Sequence, residues 1–188
     1  MSISNTLTSV VNSSTSSEET VHNCCTLVDS IFSSPDSTKS QFSEFLDAIL
    51  VDSISVGVSR KVISHVVVKI KMLPVDECLI YCGILTEALK MRLMSFEDQV
   101  TEVNQHMAEL YEAQNNYPKA AFHLSQIPLE NSQKNYSKTY TTQMYLKIAQ
   151  LYIEGRDVNQ AEMYINRASL LITSNTEPEL QVCIVWSH

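Results

Sequence analysis

Glycine is nearly missing from this chain: there are 3 in 188 residues, Gly57, Gly83 and Gly155, where an average protein carries about 7 per cent. A phosphate-binding loop needs clustered glycines so that backbone N–H groups can close on phosphate oxygens. No two glycines here stand close enough to begin one, which excludes a P-loop or a dinucleotide fingerprint. Charge is sparse too, at 18% of residues against about 25 per cent in typical domains. Its sign is one-sided: 13 basic residues face 21 acidic ones, for a net charge of −8 and a pI near 5.0. The densest basic runs are only Arg60-Lys61 and Lys69-Ile70-Lys71. Nucleic-acid binding depends on clustered cations that release counterions, so no nucleic-acid partner is expected. Apolar runs are a few residues long, far below the ~20 needed to cross a bilayer, so no membrane partner is expected either. The N-terminus carries neither the basic start nor the apolar stretch of a secretory signal. The expected location is therefore the cytoplasm and nucleus, with reduced cysteines.

Patterns that carry chemistry are missing as well. Of the five cysteines, Cys24 and Cys25 are adjacent, Cys78 and Cys82 lie one helical turn apart, and Cys183 is alone. None has zinc-site spacing, and two small apolar side chains on one helical face read as core. The five histidines, His22, His65, His106, His123 and His188, form no H-E-x-x-H motif and no triad pattern. His106 sits between Glu102 and Glu109 at helical spacing, an arrangement of surface charge partners. The acids are spread evenly, so no carboxylate dyad stands out. The chain is expected not to be an enzyme and to have no catalytic, cofactor-binding or metal-binding residues. No cofactor and no small-molecule substrate are expected.

What the sequence has is helical periodicity. Residues 1–40 are rich in Ser and Thr, with runs such as Ser13-Ser14-Thr15-Ser16-Ser17 and Ser33-Ser34-Pro35-Asp36-Ser37. They read as a poorly ordered, largely disordered tail holding at most one short helix over 21–32. From Gln41 onward Phe42, Phe45, Leu46, Ile49 and Leu50 draw an amphipathic stripe. The next segment, 59–73, is β-branched at Val62, Ile63, Val66, Val67 and Ile70, which leaves a strand open beside a helix. Pro74 ends it, and a helix over 75–91 follows with Leu79, Ile80, Leu85 and Leu89. Ser95 with Glu97 and Asp98 marks a helix start, and Asn115-Asn116 mark its end. Pro118 opens the next helix and Pro128 closes it. A helix over 139–154 is expected to stop at Gly155, and Asp157-Val158-Asn159-Gln160 to open another, with a turn at 173–176.

The second half repeats itself at a shift of 41 residues. Ala108-Glu109-Leu110-Tyr111 lies over Ala149-Gln150-Leu151-Tyr152, Ala120 over Ala161, and Leu124 over Ile165. Small and aromatic residues at fixed places on successive helices are what closely packed antiparallel helix pairs need. The fold class expected is all-α, a tetratricopeptide-like antiparallel helix-pair solenoid winding as a right-handed superhelix. The arm is expected over 41–188, with its clearest repeats at 95–128 and 139–172.

Particular residues in these repeats carry a resemblance. They are Ser95-Phe96-Glu97-Asp98-Gln99-Val100, Gln105-His106, Ile127-Pro128-Leu129-Glu130, Gln133-Lys134, Tyr145-Leu146-Lys147-Ile148-Ala149 and, above all, Gln160-Ala161-Glu162 with Tyr164-Ile165-Asn166-Arg167-Ala168-Ser169-Leu170-Leu171. Together they resemble the subunit 4 family of the COP-nine signalosome. The resemblance is strong over about 93–172, faint from about 56 to 92, and none is visible before that. It implies a non-catalytic scaffold subunit of the PCI type, within a complex that removes a ubiquitin-like modifier from cullins through a zinc site on a different subunit. The partners implied are the other signalosome subunits and the cullin-RING ligase. Family members continue into a PCI winged helix, so the chain is expected to be a truncated form lacking that domain, its last segment, Leu180 to His188, being an unrelated tail. Two other readings stay open. One is the arm of another PCI complex, such as the proteasome lid or translation initiation factor three. The other is a tetratricopeptide-like adaptor that clasps peptides through Asn104, Lys147 and Arg167.

Overall fold

Apolar residues three and four apart form a helix with one buried face, and paired helices bury those faces against each other. The computed structural model describes residues 3–14, 16–33, 39–130, 134 and 136–172, and among these the regular elements are all helical. The Cα trace divides into two units, Met1–Val103 and Asn104–His188. The expected turn at 173–176 and the closing segment, with Cys183 and His188, lie outside the described residues, as do 34–37 of the second serine run.

The first unit holds α1 (Ile3–Ser13), α2 (Ser17–Ser33), α3 (Lys39–Ile49), α4 (Val56–Lys71) and α5 (Val75–Leu89), then a 3-10 turn over Lys90–Ser95. α1 packs on α3 and α3 on α5, while α2 packs on α4, so odd and even helices form two rows. Residues 1–40 differ from the expected loose tail: their described part holds α1, α2, which contains the short helix expected over 21–32, and the first two residues of α3. Ser and Thr dominate the composition, yet Leu7 on α1 and Thr20, Cys24, Val28 and Ile31 on α2 are buried, at one face of each helix. The polar residues between them return their hydroxyls to the preceding turn, as Thr8 does to the Ser4 carbonyl and Thr20 to that of Ser16. Ser16 Oγ caps α2 by accepting from the Glu19 N–H at 3.1 Å.

Phe42, Phe45, Leu46, Ile49 and Leu50 are all buried, as their spacing demands. The β-branched segment is helix α4, not a strand: Val58, Val62, Ile63, Val66, Val67 and Ile70 form one continuous buried face. Burial on that face outweighs the small helix penalty of β-branched residues. Buried Ser59 donates to the Ile49 carbonyl at 2.8 Å and satisfies the open end of α3. α5 differs from its predicted pattern. Cys78, Cys82, Leu85 and Leu89 form its inner face, and Ile80 is 40% exposed. Phe32, Phe42 and Tyr81 join α2, α3 and α5 through ring contacts of 5.1–5.6 Å.

The unit boundary falls inside α6 (Glu97–Ala113). The second unit continues with α7 (Tyr117–Ser125), α8 (Lys138–Glu154) and α9 (Val158–Leu171). Its core is Ala108, Ala120, Ala121, Leu124, Ile127, Leu129, Tyr145, Ile148, Ala149, Leu151, Tyr164, Ile165 and Ala168. Ser137 caps α8 by accepting from the Tyr140 N–H, and Asp157 caps α9 by accepting from that of Gln160. Gly155 does not end α8 by a left-handed turn. Its φ is −77°, and the residue at positive φ is Arg156, at 61°. A Cβ on Gly155 would meet Pro118 Cγ at 2.8 Å, so glycine stands there for close packing against the start of α7.

Candidate functional site

The repeat at a shift of 41 residues extends to backbone geometry. Asn115 has φ 57° and Arg156 φ 61°, the two positive-φ residues among those described, and they stand 41 apart. After α6 the N–H of Asn116 donates to the Tyr111 carbonyl at 2.8 Å and that of Asn115 to Glu112 at 2.9 Å. After α8 the N–H of Asp157 donates to Tyr152 at 2.8 Å and that of Arg156 to Ile153 at 2.9 Å. Each set is a Schellman motif, which caps the last carbonyls of one helix while turning the chain into the next. The first helical bonds that follow match as well, Ala120 to Asn116 and Ala161 to Asp157, both at 3.1 Å.

Side chains follow the same register. Ala108 and Ala149 are each 2% exposed, and Ala120 and Ala161 are 0% and 2% exposed. Tyr111 stacks on His123 with centroids 5.4 Å apart and planes at 8°, and Tyr152 stacks on Tyr164 at 5.9 Å and 19°. His123 therefore holds the place of an aromatic ring. Its Nδ1 lies 3.1 Å from Oδ1 of buried Asn104. Burial, with nearby Lys119 adding to it, pushes its pKa below the usual histidine value.

The three residues named for a peptide clasp are engaged within this unit. Asn104 is bonded to His123. Lys147 Nζ meets Glu112 Oε1 at 2.5 Å. Arg167 lies over the Tyr164 ring at 5.3 Å. Tyr145 donates to Glu130, and burial together with that bond raises its pKa. In the first unit Asp29 accepts from His65 at 2.7 Å and from Lys69 at 3.0 Å, joining α2 to α4 and holding the carboxyl below its ordinary pKa. Apart from Arg167 on Tyr164, the partners in these contacts lie 15 to 40 residues apart, which is why the sequence concealed them.

Cys78 and Cys82 are buried core residues whose thiols are pushed up by burial, and the buried Cys24 thiol rises to about 11. His106 Nδ1 lies 3.7 Å from Glu109, while Glu102 is paired with Lys71. Among the described residues no three His, Cys, Asp or Glu gather as a metal site, and no helix is long and apolar enough to cross a membrane.

Paired helices closed by the same turn, the same ring stack and the same buried alanines at one spacing define an all-α helical-repeat protein. Within that class, residues 2–183 match the family model described as PSMD12/CSN4, N-terminal, and the chain belongs to this family. It is 40% identical over 138 residues to COP9 signalosome complex subunit 4 of Drosophila melanogaster, covering 73% of this chain and 34% of the relative. The corresponding subunit 4 of Dictyostelium discoideum is 35% identical over 125 residues, covering 66% of this chain and 32% of the relative. That of Arabidopsis thaliana is 30% identical over 154 residues, covering 82% and 38%. The chain spans about a third of the length of the curated relatives it matches. The family match starts at residue 2, so the likeness extends to the N-terminal helices, ahead of the residues that carry the resemblance in sequence.

Proposed function

We propose that the chain is a non-catalytic scaffold subunit of the COP9 signalosome, acting in the cytoplasm and nucleus through protein–protein contacts. The complex removes a ubiquitin-like modifier from cullins, and this helical-repeat arm is read as facing the cullin-RING ligase without contributing reacting groups. The observation that carries the reading is the family match over residues 2–183, with relatives in Drosophila, Dictyostelium and Arabidopsis that are subunit 4 of this complex. Supporting it, the charged and thiol side chains that would be candidates for chemistry are occupied in packing helix on helix: Lys147 by Glu112, Asp29 by His65 and Lys69, and Cys78 and Cys82 by burial. The same engagement weakens the peptide-clasp reading.

The test is affinity capture of the tagged chain from cell extract, with signalosome subunits, cullin and proteasome-lid subunits probed separately. Recovery of signalosome subunits is the expected result. Recovery of lid subunits alone, or of neither set from soluble chain that is helical by circular dichroism, would overturn the assignment.

A further inference from the structure

α5 carries two apolar stripes. The inner one, Cys78, Cys82, Leu85 and Leu89, is buried. The second runs through Ile80, Gly83, Ile84 and Ala88, at the i, i+3, i+4, i+8 positions of another face, and with Leu46 of α3 it lines an open groove of about 560 Å³. A helix that is apolar on more than one face ordinarily has something packed on each. Leu46, fully buried, forms the floor, and Ile80, 40% exposed, forms a wall. A Cβ placed on Gly83 would meet nothing within 4 Å, so a side chain entering the groove can reach the backbone of α5 there. The lining positions of α5 span about 12 Å along its axis, roughly two turns of a docked helix.

The rim has one sign. Asp47 and Glu87 line the groove on opposite helices. α3 carries Lys39 against Glu44 and Asp47, and α5 carries Asp76, Glu77 and Glu87 with no basic residue. The exposed Lys90 lies 3.5 Å from Glu87. We propose that this groove receives an amphipathic helix of a partner protein, its apolar ridge flanked by lysine or arginine. The ridge would fill the space over Gly83 and Leu46, and the flanking cations would meet Asp47 and Glu87. This goes beyond membership of the signalosome and holds whichever subunit or substrate supplies the helix.

The probe is a fluorescent helical peptide of roughly five turns, with leucines at i, i+3, i+4 and i+7 flanked by lysines, titrated against the full chain by anisotropy. Its counterpart carries glutamate for every lysine. The lysine peptide is expected to bind on the order of tenfold tighter or more, and to weaken as salt rises. Gly83→Met fills the groove with a side chain that helix α5 accommodates, and should abolish binding with an unchanged circular dichroism spectrum. D47K with E87K should reverse the preference between the two peptides. Equal affinity for both peptides, or binding indifferent to Gly83→Met, would sink the proposal. A dimer that forms without peptide and disappears in Gly83→Met would also overturn it, by assigning the groove to a second copy of the chain.

Discussion

Gly155 and Gly83 are both glycines of helical backbone, and they should respond to the same substitution with opposite signs. At Gly155 a methyl group would meet Pro118 Cγ at 2.8 Å, so Gly155→Ala should cost about 1–3 kcal/mol in denaturant unfolding. Adding Pro118→Ala should return most of that loss, a coupling that a double-mutant cycle reads directly. At Gly83 the space is open, and Gly83→Ala should instead stabilise by about 0.5–1 kcal/mol. His123 provides a pH prediction. Its folded pKa is depressed, so the unfolded state binds the proton more readily; the stability linked to it is full above the unfolded value of about 6.5 and is lost as pH falls below that. His123→Tyr, which copies Tyr164 of the second repeat, should flatten the urea midpoint between about pH 7 and about pH 5.5 relative to the parent chain. The sequence placed Ala120, Ala161 and the tyrosines correctly because small and aromatic residues betray close packing. It could not place His123, since a histidine that replaces a ring looks the same in sequence as one that titrates at the surface.

Among the elements, α4 was ambiguous in sequence because Val and Ile suit strands and buried helix faces alike. Only the spacing 58, 62, 63, 66, 67, 70 of its buried residues, with Ser59 capping α3, shows what it pairs with. α1 was missed, and α2 was expected only as a short helix over 21–32, for the opposite reason. Their Ser and Thr content resembles that of a loose tail; α1 buries Leu7 alone, and the buried stripe of α2 includes the polar Thr20. The turns also tolerate poor choices. Arg156 adopts a left-handed conformation that costs an L side chain about 1–2 kcal/mol. Arg156→Gly should therefore raise stability by about 1 kcal/mol, seen as a rise of roughly 2–4 °C in Tm. A drop in Tm would mean that the arginine side chain holds the turn by a contact outweighing its backbone strain.

For the whole molecule, a net charge of −8 and a pI near 5.0 set its behaviour toward other macromolecules more than any single contact does. The chain should bind an anion exchanger at neutral pH, pass through immobilised heparin, and be least soluble near pH 5, which a turbidity titration measures. The pairing of helices was legible from end to end in the second unit, where composition and period agree, whereas the polar contacts across α2 and α4 lay beyond reach because they need the fold first. The paired turns have a different consequence. Gln114-Asn115-Asn116-Tyr117-Pro118 and Gly155-Arg156-Asp157-Val158-Asn159 share no residue at matching positions, yet they make the same main-chain bonds at nearly the same lengths. Because those bonds use peptide groups alone, the five-residue corner is free to diverge while its path stays fixed. Ancestral copies of this unit are thus better traced by their sequence of backbone torsions than by any string of letters.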